Sequence, residues 1–402
     1  MRRYAVLFVA VGIVWPGFAF AQDEDAPTES TTDEMSVERD CDGGGEDCPS
    51  EDDFAWWFRP YGYVRAGYEL IQSDPNYDFV GRNSGFSLLN ARLGLEGGNS
   101  DWGASFRISV DGAADRIRAA NSAQGDLDVQ LRDAYISVEP VPFFGIRAGQ
   151  FKLPFSGEDL RSTGDLVFIT RAVGQAGVLP GRGFEQAGIL VDRDLGVMLY
   201  TPQYYVGPFG FAINFAVSNG NGANQLLNDN DKLAITARAE LYWEDLVRVG
   251  FAFIDNGRTT GTLPNLFEEI DQGWTTDLLV SVLGLEIYGQ LTSMTTSFDT
   301  AGTDDNEQFA YHAQITYEID QIPVVTLAPA FRYAYFHPRA EGGVTTEGVD
   351  LDSFELSYLT FGLRAWVPPV PVTLNLNYTI TGEQAPRELE NNRFEALLQV
   401  VF

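Results

Sequence analysis

From Trp56 to the last residue, apolar and polar side chains alternate with period two, in blocks separated in turn by very short and by long polar connections. In 102–111, Trp102, Ala104, Phe106, Ile108 and Val110 alternate with Gly103, Ser105, Arg107, Ser109 and Asp111. Residues 209–218 repeat this with Phe209, Phe211, Ile213, Phe215 and Val217, and 372–380 with Val372, Leu374, Leu376, Tyr378 and Ile380. Successive side chains of a strand lie on opposite faces, so each block is a strand with one apolar and one polar face. Half-buried soluble strands and lipid-facing barrel strands share that property, so the connections have to decide between them.

Sixteen strands are expected, at 55–70, 85–97, 102–111, 129–139, 142–151, 187–201, 207–218, 231–243, 247–255, 273–283, 284–296, 307–319, 323–336, 352–367, 370–382 and 391–402. Tight connections fall at Asn99-Ser100, Pro140, 202–205, 244–246, Leu283-Gly284, 320–322 and Pro368-Pro369. They alternate with long ones at 71–84, 112–128, 152–186, 219–230, 256–272, 297–306, 337–351 and 383–390. An even strand count with short turns on one rim and long loops on the other is the pattern of a closed membrane barrel, and a soluble sandwich has no reason to keep it. The expected fold is all-β: a 16-stranded antiparallel transmembrane β-barrel over 54–402, with a long in-folded loop and both termini on one side. After residue 21 no apolar stretch approaches the about 20 residues of a spanning helix, so only a barrel could cross lipid. Trp56, Trp57, Tyr61, Trp102, Trp243, Trp274, Tyr335 and Trp366 fall near strand ends, where interfacial girdles lie. Phe402 ends a last strand that has to pair with the first, and a terminal Phe is the mark by which barrel-assembly machinery recognises exported barrels.

Residues 1–21 read as a signal peptide: Arg2 and Arg3, an apolar run from Tyr4 to Val14, then Ala19-Phe20-Ala21. Residues 22–53 hold 14 acids, one Arg and no large aromatic residue, and are expected to be an acidic disordered segment. Cys41 and Cys48, the only two Cys, most simply close one disulfide loop there. Zinc wants more ligands than two Cys supply, and the surrounding acids form no complete calcium loop, so neither metal nor cofactor is expected. With 26 Lys plus Arg against 57 Asp plus Glu the net charge is −31, which excludes a nucleic-acid partner.

Arg132-Asp133-Ala134-Tyr135, the run from Gly149 to Phe155, Glu158-Asp159-Leu160 and Leu166 to Arg171 resemble the signature region of the phosphate-selective porin O and P family. Arg193-Asp194-Leu195-Gly196-Val197 and the ending from Asn391 are similar to that family's strand starts and last strand. The resemblance covers roughly 130–402. It implies a sixteen-stranded porin of a Gram-negative outer membrane, commonly a homotrimer, in contact with outer-membrane lipid and passing small hydrophilic solutes or ions. The family's phosphate preference rests on basic ladders, whereas this chain has only two Lys, Lys152 and Lys232, and 54–402 balances 23 basic against 43 acidic residues.

Period two assigns Arg65, Arg92, Arg107, Arg147, Arg238, Arg332 and Arg364 to lumen faces, beside Glu69, Glu96, Asp111, Asp133 and Glu240. Most such pairs brace the wall, while rows of guanidinium groups offer anions successive weak sites. The connection 152–186 is the longest and carries Lys152, Arg161, Arg171 and Arg182; its length points to a constriction. The expected function is passive diffusion of small hydrophilic solutes, with anions such as phosphate favoured at that loop. The alternatives are a weakly cation-selective or general sugar porin and, in other classes, a barrel enzyme or a structural adhesin. His312 and His337 have no nucleophile motif beside them, so no catalytic residues and no enzyme are expected.

Overall fold

The structure, a computed structural model, describes residues 56–113, 127–179, 181–262, 264–299, 305–340, 355–383 and 388–402. The expected signal and acidic segments, with Cys41 and Cys48, lie outside the described residues.

The strands are β1 (Trp56–Ile71), β2 (Gly85–Asn99), β3 (Ala104–Asp111), β4 (Gln130–Val141), β5 (Phe144–Lys152) and β6 (Arg193–Tyr200). Then come β7 (Tyr204–Val206), β8 (Phe209–Ser218), β9 (Ala234–Trp243), β10 (Val247–Thr262), β11 (Asn265–Val282) and β12 (Leu285–Phe298). The last are β13 (Asn306–Tyr317), β14 (Thr326–Ala340), β15 (Leu356–Trp366), β16 (Val372–Glu383) and β17 (Arg393–Val401). Two one-turn helices, α1 (Gly157–Leu160) and α2 (Val173–Ala176), lie between β5 and β6. Neighbouring strands pair antiparallel around the whole circuit. Both β6 and β7 pair with β8, so they form one stave interrupted around Pro202, whose missing N–H cannot join the ladder. Sixteen staves result. β1 pairs with β17 from Tyr63↔Val401 to Ile71↔Arg393, which closes the barrel and leaves no edge to lipid. Among the described residues no helix is long and apolar enough to cross a membrane.

Alternation sorts the faces as the sequence requires. Along β8, Phe209, Phe211, Ile213 and Phe215 are exposed outside, while Gly210, Ala212, Asn214 and Ala216 are buried inside. Three connections differ from expectation. Residues 256–272 are not a loop: β10 and β11 run on to Thr262↔Asn265. A hairpin with water on both faces has no apolar side to alternate, and there Gln272 donates to Asp255 on the exposed surface. Residues 187–192 precede the strand rather than belong to it, and the turn expected at 202–205 is at Gly207 and Pro208. Pro140 lies inside β4, with the turn at 142–143.

Besides an irregularity between Val138 and Val141 in the β4–β5 ladder, two bulges break the period. One lies opposite Arg65/Ala66 in the β1–β2 ladder, where the pairing of Arg65 with Asn90 and of Ala66 with Leu88 leaves Leu89 extra. The other lies between Ile108 and Val110 in the β3–β4 ladder and turns Arg132 and Asp133 toward the same stretch of β3. One hydrophobic cluster joins the β5–β6 connection to the strands. Leu153, Phe155, Ala172, Val173, Val178 and Ile189 from the β5–β6 connection pack with Ala216, Ala252, Met294, Ala310, Ala334 and Phe336 of the strands. Alanine at these inner positions leaves room for the connection, and burying a side chain such as Phe155 stabilises by about 1.5–3 kcal/mol.

Candidate functional site

The connection from Leu153 to Asp192 is bonded to many staves. Arg238 on β9 donates to the Phe155 carbonyl at 2.9 Å, and Gln290 on β12 accepts from the Glu158 amide at 2.9 Å. Arg332 on β14 donates to the Thr170 carbonyl at 3.0 Å, and Arg364 on β15 to the Asp165 carbonyl at 3.3 Å. Gln399 on β17 donates to the Gly164 carbonyl and Arg65 on β1 to the Ile169 carbonyl, both at 2.9 Å. Gly157 fits only because it lacks a side chain: a Cβ there would stand 2.6 Å from an Asp277 carboxylate oxygen. The Ser156 hydroxyl caps α1 by accepting from the Asp159 amide.

Behind these contacts the charges are closed off. Arg238 pairs with Asp277 at 2.7 Å and Glu240 at 2.8 Å, and the Arg238 and Asp277 side chains are both 0% exposed. Glu158 accepts from the Ala172 amide through both oxygens at 3.1 Å and lies 3.5 Å from Arg332 and 4.0 Å from His312. Burial opposes its charge, but His312, Arg332 and Arg171 together hold the carboxyl below its ordinary range. Arg182 pairs with Glu69 at 2.6 Å and Glu395 at 2.9 Å, away from the other basic residues of its connection.

Elsewhere on the wall Arg92 faces Asp111 at 3.5 Å and lies over the Tyr63 ring. Arg107 pairs with Glu96 at 2.7 Å and lies over Tyr61. Arg147 bonds Ser137 at 3.0 Å and lies between Tyr135 and Tyr200. These three, placed on the lumen faces by period two, are buried and serve their neighbours, and Arg65, Arg238, Arg332 and Arg364 hold the connection.

A smaller group keeps contact with water. Lys152 donates to the carbonyls of Leu160 and Arg161 at 3.0 and 3.2 Å, and Arg171 donates to the same Arg161 carbonyl at 2.9 Å. Arg161 itself reaches Glu286 at 3.1 Å across the Tyr288 ring. Arg132 reaches Asp192 at 2.8 Å, their side chains being 17% and 30% exposed. Arg171 also bonds Asp159 at 3.0 Å; burial pushes the Asp159 carboxyl up to about 7 against that pairing. The structure thus brings Lys152, Arg161 and Arg171 together and leaves Arg182 apart. Sequence reasoning missed Arg132 and Asp192: strict alternation cannot assign a residue at a bulge, and Asp192 lies just ahead of β6.

The family model described as phosphate-selective porin O and P matches residues 58–231. The outer membrane channel DcaP of Acinetobacter baumannii shares 16% identity over 88% of this chain and 99% of that one, with a TM-score of 0.57. An anion-selective porin from Comamonas acidovorans shares 15% over 86% and 100%, with a TM-score of 0.58. OmpT of Vibrio cholerae, solved in a trimer form, shares 10% over 87% and 100%, with a TM-score of 0.54. No curated protein matches the chain. These likenesses are to one fold, the barrel of outer-membrane channels and porins, and over residues 58–231 the chain carries the pattern of the phosphate-selective porin O and P family.

Proposed function

We propose that the protein is a passive channel of the Gram-negative outer membrane for small hydrophilic solutes, that the connection from Leu153 to Asp192 lies in its lumen as the constriction, and that anions such as phosphate are favoured there. One observation carries the reading: Lys152, Arg132, Arg161 and Arg171 are partly exposed around that connection, whereas Arg238, packed behind it, is sealed and neutralised by Asp277 and Glu240. Guanidinium groups keep their charge at any working pH and give a passing anion weak successive contacts, so it is attracted and still released. The family match and the anion-selective neighbour support the same preference.

The preference is modest. Asp192, Glu286 and Asp159 stand among the four cations, and the chain as a whole carries −31, so acidic loops enrich cations at the mouth. A nearly unselective general pore is the second reading, favoured by that balance. The reversal potential across a potassium chloride gradient separates the two. Wild type is expected on the anion side, and Arg161→Glu with Arg171→Glu on the cation side; equal reversal potentials for the two proteins would remove the connection from the constriction.

The trimer form recorded for a neighbour supports a homotrimer here, which cross-linking in detergent tests. Residues 1–21 act as the export signal, and 22–53 add little to barrel stability. Phe402 is the contact for the assembly machinery. Its ring lies against Gly62, where a Cβ would come within 2.7 Å of it.

A further inference from the structure

We infer that Asp192 is an internal competitor for the passing anion, and that this one carboxylate sets how strongly the constriction holds its solute. This rests on the anion-preferring reading above. Asp192 stands where a bound anion would be expected to stand. One of its oxygens accepts from Arg132 at 2.8 Å and the other from Arg193 at 2.9 Å. Its backbone carbonyl accepts from the Leu153 amide at 3.0 Å, so its place is fixed by the chain that follows Lys152. Lys152 faces Arg193 directly in the β5–β6 ladder. Burial pushes the Asp192 carboxyl up, yet Arg132, Arg193, Lys152 and Arg171 outweigh that and hold it well below the ordinary range. The carboxylate is therefore ionised at every pH at which the protein works.

Arg193 is already committed to Asp133, at 2.7 and 3.2 Å, so Asp192 is an added acceptor rather than the sole partner of a buried cation. Its side chain is 30% exposed, unlike the wall carboxylates Asp111, Asp133 and Asp277, which are closed off. An anion arriving from water meets cations whose donors are partly occupied, and it has to share them with a fixed negative charge. Residence is short as a result, which suits passage at the expense of capture. Without Asp192 the same cations would bind an anion longer and pass it more slowly at low concentration.

Asp192→Asn keeps the size and an acceptor oxygen while removing the charge, and inorganic phosphate titrated against chloride current in a planar bilayer reads the outcome. The phosphate concentration that halves the chloride current is expected to fall about tenfold, as loss of one unit charge a few ångströms away through a hydrated medium implies, and the reversal potential to move toward the anion side. Asp101→Asn, on an exposed turn between β2 and β3, is expected to match wild type. If Asp192→Asn fails to give a heat-modifiable folded band, Asp192→Ser is read in the same way. Wild-type behaviour of the charge-removing variant, alongside a shifted reversal potential for Arg161→Glu with Arg171→Glu, overturns the role of Asp192 and leaves the constriction reading intact. No shift in either protein overturns the reading itself.

Discussion

Two groups of lumenal charges use the same residue types for opposite ends. Around Arg238, Glu240 and Asp277, guanidinium and carboxylates are paired at 2.7–2.8 Å with Arg238 and Asp277 out of reach of water. Around Arg132, Asp192, Arg161 and Glu286 the pairs are as short or nearly so, at 2.8 and 3.1 Å, but their side chains are 15–30% exposed. Distance does not separate bracing from selecting, and access does. A sealed pair holds the β5–β6 connection against the wall, and its loss strands a charge in an apolar setting. A hydrated pair is worth little to stability, so its charge is free to act on ions.

Breaking the sealed group has the largest expected effect. Arg238→Met leaves Asp277 and Glu240 to the more distant Arg248, at 3.6 and 4.0 Å, and the Phe155 carbonyl without its donor, and should cost about 3–5 kcal/mol. Urea denaturation followed by heat-modified gel mobility checks it, and the double variant with Asp277→Leu should recover part of the loss. A smaller effect is expected from pH. With its carboxyl raised from the ordinary 3.8 to about 7, Asp159 holds a proton more tightly in the folded protein. Its contribution to stability is present at low pH and lost as pH rises through about 7. Below about 7 the carboxyl turns neutral, Arg171 loses its counter-charge, and the surroundings of Arg171 gain one net positive charge. Reversal potentials should move toward the anion side between pH 8 and pH 6, and Asp159→Asn should flatten the dependence. The smallest effect belongs to the outer rim: Lys232 and Glu268 pair at 3.1 Å while about half and a third exposed. Lys232→Ala should change stability by under about 1 kcal/mol in the same urea experiment.

The barrel was legible because its lipid face imposes a rule on every strand. Phe209 to Val217 could be read as a strand from one block of alternation. Where lipid ends the rule ends too, and residues 256–262 and 265–272 pair as strand without showing it. The site was harder to read. The length of the connection points to Lys152, Arg161, Arg171 and Arg182 alike, and the structure places the first three near one another while Arg182 pairs elsewhere, with Glu69 and Glu395. The inner alanines Ala216, Ala252, Ala310 and Ala334 are a signal that could have been used: small residues at positions expected to hold polar groups mark where another segment packs. Arg132 needed the β3–β4 bulge, which no periodic reading supplies.

The pairing of β1 with β17 joins residues separated by more than three hundred positions, from Tyr63↔Val401 to Ile71↔Arg393. Every other ladder joins strands that are adjacent or nearly so along the chain, so local hairpins can form and align in any order. The last seam cannot form until the final strand has been delivered. Until then the sheet has two open rows of amides and carbonyls, and lipid offers neither of them a partner. Insertion and closure are therefore one event for this chain, and a protein shortened by its last strand is left with an unsealed sheet rather than a smaller pore.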